Sequence, residues 1–168
     1  MQILWRIVLG LIGLLFWIGA TPKPPVLIRV HLQATEGAKG MISVPVTLFS
    51  PSETIAIQNV PEVSEKEIQS ISRREDGTVL VQFNDFGATK LEVATSTGRG
   101  SILVVIVNGR VVYAPRIDTV ITKGCLLLPP GSITPEEEAQ VNGDMRKEKE
   151  QRLKDLPRKK EQAEGMGN

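Results

Sequence analysis

The chain has 168 residues, enough for one domain of ordinary size with extensions and too few for two that each bury a core. Its 20 Lys+Arg against 19 Asp+Glu leave a net charge of +1, so no overall field steers it onto nucleic acid or an anionic membrane, and no nucleic-acid partner is expected. One cysteine, Cys125, and one histidine, His31, close no intramolecular disulfide, build no zinc site and leave a hydrolytic triad a single base, so no catalytic residue, metal or cofactor is expected.

Residues 1–25 stand apart. Arg6 precedes the uncharged run Ile7–Ala20, which closes on Thr21-Pro22-Lys23-Pro24-Pro25. A basic residue, an apolar run and a small exit residue describe a secretory signal. The same run, if uncleaved, is a short hydrophobic N-terminal helix anchoring the chain in a membrane through residues 7–20, with a Pro-rich linker beyond it. Ile18 is a poor residue three positions before an Ala20/Thr21 cut, and Trp17 suits a membrane interface, so both readings stay open. In either case the chain from Thr21 onward is expected outside the cytoplasm.

Alternation then takes over. Val26, Ile28, Val30 and Leu32 share one face of a strand, with Leu27, Arg29, His31 and Gln33 on the other, which makes His31 a solvated strand residue. Ile42 to Leu48 is a second strand, placed at an edge by Pro45, which lacks the ladder donor. Ile55 and Ile57 mark a third. Ser64-Glu65-Lys66-Glu67 is a capping box, with Val63 and Ile68 as a hydrophobic staple, and predicts a short helix to about Ser72. Asp76-Gly77 turns the chain into the strand Val79–Phe83. Asn84 or Asp85 caps a second helix through Ala88, Leu91 and Ala94, stopped near Gly98 and Gly100.

Ile102 to Val107 is apolar on both faces, as a central strand covered on both sides would be. Asn108-Gly109 is the dipeptide of a type I′ hairpin turn, Arg110–Ala114 is the return strand, and Pro115 ends it. Leu126–Leu128 follows Gly124, and Pro129-Pro130-Gly131 makes a corner. Thr134-Pro135-Glu136-Glu137 opens a third helix. Residues 142–168 form a charged tail, helical where Glu148 and Arg152 pair at i,i+4, stopped at Pro157, and burying no face. The expectation is an α+β fold, a two-layer sandwich of a mixed β-sheet with helices on one face, spanning residues 26–141.

Several of these elements recur in a fixed order: Phe83, Gly87, Ala88, Leu91 and Thr95, then Ile102–Val107, Asn108, Gly109, Val111 and Val112. Ala114, Pro115, Ile117, Ile121, Gly124, Gly131, Thr134, Glu137 and Ala139 continue it. This pattern resembles the head subdomain of the first periplasmic domain of SecD, the export subunit fused as SecDF in some bacteria. The positions that define it are Gly87, Ala88, Asn108, Gly109, Ala114, Pro115, Gly124 and Thr134, all with structural roles. The family's base part and multi-helix membrane domain have no counterpart in this sequence, so the resemblance implies a module and not a proton-driven motor. Its implied partners are exported or unfolded polypeptide and the export machinery. The other reading is a structural or assembly protein of the same compartment that uses the charged tail for subunit contacts. An apolar groove beside the Asn108-Gly109 hairpin would favour the first; a flat polar surface with a long ordered C-terminal helix would favour the second.

Overall fold

A computed structural model describes residues 23–164 except 36 and 38, and residues 156–164 in their backbone alone. The run Ile7–Ala20, with its signal-or-anchor reading, lies outside the described residues. Eight strands and two α-helices follow in the order β1 (Ile28–Leu32), β2 (Met41–Val46), β3 (Glu53–Gln58), β4 (Ile68–Arg73), β5 (Val79–Phe83), α1 (Asp85–Thr97), β6 (Leu103–Val107), β7 (Arg110–Tyr113), β8 (Cys125–Leu128) and α2 (Pro135–Glu164). The α+β architecture is as expected. The strands divide among three sheets, β1-β6-β7, β2-β3 and β4-β5-β8, and every ladder is antiparallel, where one mixed sheet was expected.

β6 is the pivot. Its Leu103, Val105 and Val107 join the main core with Ile28 and Val30 of β1, Val79, Val81 and Phe83 of β5, and Leu91 of α1. Its opposite face, through Val104 and the neighbouring Ile102, packs on Val46, Ile55 and Ile57 of the β2-β3 hairpin. The doubly apolar run therefore has a core on each side, and Val105, Leu91 and the half-buried Val112 share the larger one. α1 presents Gly87, Leu91, Ala94 and Thr95, one helical stripe, to that core. Its cap is Asn84, whose Oδ1 accepts from the Gly87 N–H at 2.9 Å.

Four expectations change. The capping box at Ser64 forms, with Glu67 Oε2 accepting from the Ser64 N–H at 2.8 Å, but it opens only a 3₁₀ turn over Glu65–Glu67, and the chain then extends as β4. Ile68 and Ile71 are three apart, a spacing that would share a face of the expected helix, but a register shift between Ile68 and Ser70 puts both on the buried face of a strand. His31 is 3% exposed, because the hairpin folds over the face of β1 on which His31 stands opposite Val104. Its Nδ1 lies 2.8 Å from the Gln58 carbonyl oxygen, and burial holds its pKa below the usual histidine value although that hydrogen bond raises it.

The charged tail also does more than expected. Helix α2 continues through Pro157 to Glu164; the fixed φ of proline is itself helical, and its cost, a missing backbone bond and crowding of the preceding turn, does not end the helix here. Its early turns bury apolar surface: Val141 is in the main core and Met145 packs against it. Between them Asn142 caps the edge of β4, its Oδ1 accepting from the Ile71 N–H at 3.1 Å and its Nδ2 donating to the Ile71 carbonyl at 2.9 Å.

Candidate functional site

The positions singled out by sequence collect in three places. Gly87 and Ala88 meet Gly124 where the start of α1 crosses the approach to β8. A Cβ on Gly87 would stand 2.7 Å from Glu67 Cβ and 3.0 Å from Phe83 Cβ, and one on Gly124, whose φ is +59°, would collide with Ala88. These are close-approach positions that fix how α1 lies on the sheet.

Asn108, Gly109 and Thr134 form the second group. Asn108 (φ 48°) and Gly109 (φ 79°) are both left-handed, as a type I′ turn requires. Asn108 Oδ1 accepts from the Leu27 N–H at 3.0 Å, and its Nδ2 donates to Glu137 Oε1 at 2.7 Å. Arg110 Nη2 reaches the same carboxylate at 3.1 Å, and the Thr134 N–H donates to Glu137 Oε2 at 2.9 Å. Glu137 thus clasps the hairpin tip to the start of α2. Burial raises its pKa, but the Thr134 amide, the Asn108 side chain and the Arg110 guanidinium together hold it below the usual carboxylate range.

Ala114 and Pro115 belong to the third, which is the candidate site. An open groove of about 500 Å³ runs beside the hairpin, lined on one side by Arg110 to Pro115 and on the other by Pro129 to Ser132, with Leu48 and Phe49 of the β2-β3 turn completing it. Side chains of a strand point alternately to its two faces, so six consecutive lining residues mean that the groove follows the strand's edge and not one face. That edge is open: β7 ends its sheet, and among the described residues no strand pairs with its outer side.

The register tells which backbone groups face the groove. In a two-residue hairpin the closing pair Val107 and Arg110 exchange their hydrogen bonds inward, so at the next pair, Ile106 and Val111, the Val111 N–H and C=O point outward. The ladder slips between Val105 and Ile106, and beyond the slip the Leu103 N–H donates to the Pro115 carbonyl at 2.9 Å. Ala114, one residue before that inward bond, is the next to face out. Leu48 is 53% exposed beside this edge. The sequence marked Ala114 and Pro115 for structural roles, Leu48 as a strand end and Pro129-Pro130 as a corner, and it did not join them or Phe49 into one surface, because only the folded hairpin and corner bring them together. Elsewhere among the described residues, no group of three or more His, Cys, Asp or Glu converges as metal ligands would.

No family model and no curated protein matches the sequence. Its fold is similar to that of a solved structure of SecDF, described as a membrane component that enhances protein export, at 18% identity and a TM-score of 0.50, covering 70% of this chain and 60% of that one. The fold is SecDF-like. A further SecDF structure, in a super-membrane-facing form, aligns at 15% identity and a TM-score of 0.42 over 82% of this chain and 32% of its own. The chain thus spans less than two thirds of either protein. The expected resemblance holds at the level of the fold.

Proposed function

We propose that this SecDF-like chain is a non-catalytic, extracytoplasmic module of protein export that holds exported or unfolded polypeptide. The observation that supports the reading is the apolar groove along the open β7 edge, which offers an extended chain both backbone partners and a hydrophobic wall. Placement outside the cytoplasm rests on Arg6 before the apolar run Ile7–Ala20. Among the described residues no helix is long and apolar enough to cross a membrane.

A photo-crosslinker at Leu48, compared with one at Arg152, tests the proposal in cells. Capture of many different exported chains from position 48, and of none from 152, supports it. Capture of one fixed protein from 152 alone would put the assembly reading in its place. That second reading draws on α2, whose exposed Glu148 and Arg152 pair at 2.6 Å on a helix that runs to Glu164. A reporter active only in the cytoplasm, fused after Asn168, should be silent; full activity there would refute the placement.

A further inference from the structure

We propose that polypeptide enters the groove as an added strand, antiparallel to β7 and hydrogen-bonded to the outward N–H and C=O of Val111 and Ala114, and that the chain selected is a short extended segment with apolar side chains at alternate positions. This rests on the holding function above and adds its mode and its selection rule.

The edges of the two larger sheets are treated unequally. β1 is closed on its outer side by the Glu62–Val63 segment, where the Val30 N–H donates to the Val63 carbonyl at 2.8 Å. β4 is closed by the Asn142 amide. Among the described residues the β7 edge carries no such cover, and the strand at the free end of the other large sheet, β8, leads directly into the opposite wall of the groove. Unpaired strand edges are normally blunted because they template pairing with other chains. Leaving this one open beside apolar side chains fits a role in pairing.

The dimensions choose the occupant. β7 spans four residues, Arg110–Tyr113, a run of ~14 Å, whereas a stable folded partner needs about 800 Å² from each side. The slip at Val105 leaves two separate outward positions instead of an unbroken ladder, and Pro115 and the Pro129–Pro130 wall close the space beyond them. Pairing edge to edge would bring the whole sheet of a second copy toward that wall, whereas a single extended chain needs only one strand spacing of about 4.8 Å beside β7. An outward residue such as Val111 offers its N–H and C=O side by side, the arrangement that exchanges both bonds with one residue of an antiparallel partner. The one charged side chain along the groove, Arg110, is already engaged by Glu137, so a charged group on the incoming strand would lose water without gaining a partner.

The test uses the full chain with three probes: a fluorescent peptide of alternating Val and Ser, its twin methylated on the amides that would face β7, and a reduced, alkylated protein as unfolded polypeptide. Val111→Pro removes the outward N–H while keeping an apolar side chain and the inward ladder, a place where edge strands tolerate proline. Strand addition predicts that the methylated twin binds wild type, and the parent peptide binds Val111→Pro, each about tenfold more weakly, with Leu48→Ser weakening all three probes. Should Val111→Pro fail to fold, the methylated twin on wild type decides alone. Equal binding of parent and twin, with unfolded protein still captured through Leu48, overturns strand addition and leaves the holding function standing. Failure of wild type to capture any of the three probes overturns the holding function, and dimerisation blocked by Val111→Pro would identify a second copy as the occupant and overturn the inference.

Discussion

Replacing Asn142 by Ala tests whether the first turns of α2 are part of the domain or a passive extension. Asn142 supplies one acceptor and one donor to Ile71, at 3.1 and 2.9 Å, and Ile71 is 3% exposed. Each such bond contributes about 1 kcal/mol net, and a peptide group left without either partner or water costs about 1–3 kcal/mol. Against this, alanine is the better helix former by roughly 0.6 kcal/mol. The balance is a loss of about 2 kcal/mol, a fall in melting temperature of roughly 4–8 °C for a domain of this size. Asn142→Asp keeps the acceptor but turns a carboxylate toward the Ile71 carbonyl, so it should melt no higher than Asn142→Ala. Urea and thermal unfolding of the full chain measure both, and light scattering should rise as the β4 edge is uncovered. A truncation after Val141, which the sequence alone marks as harmless, should be destabilised in the same way, since it also removes Met145. Melting of Asn142→Ala at or above the wild-type temperature would refute the edge-capping role.

Three further outcomes follow from the structure. Val105→Asp puts a carboxylate at a position 1% exposed in the main core, and should cost ~4 kcal/mol or more in urea unfolding; a tolerated Asp would refute the placement of β6. Gly109→Val, at φ +79°, should destabilise the domain by ~1–3 kcal/mol through backbone strain, and unchanged melting with lost polypeptide binding would instead make Gly109 a contact residue. His31 is held below its ordinary pKa of 6.5 by burial, so the folded state prefers the neutral ring. Its contribution to stability is therefore complete above pH 6.5 and declines as pH falls below it toward the depressed folded value. Between pH 7.5 and 5.5 wild type should lose more melting temperature than His31→Gln, and equal losses would remove His31 from the pH dependence.

Local chemistry settled much of this chain before any folding was considered. Alternation placed β1 and β5, and an unbroken apolar run placed the doubly buried β6. The Asn108-Gly109 pair placed the hairpin, because few other dipeptides hold two successive positive φ values. Asn84 and Thr134 placed the starts of both helices, because short polar side chains at those positions satisfy free amides. Three features depended on partners remote in sequence. Ile68 and Ile71 suit a helix or a bulged strand equally, and pairing with β5 decides for the strand. His31 is buried by a hairpin whose contact, Gln58, lies 27 residues away. Asn142 looks like any polar residue of a charged helix until its amide meets the backbone of Ile71, 71 residues earlier. The groove has the same origin: Leu48, Val111 and Pro130 belong to three separate turns and strands, and only the closing of β7 against the Pro129–Pro130 corner makes them one surface. Periodicity and capping act over a few residues of chain, whereas which edge stays open is decided by what the rest of the fold leaves uncovered.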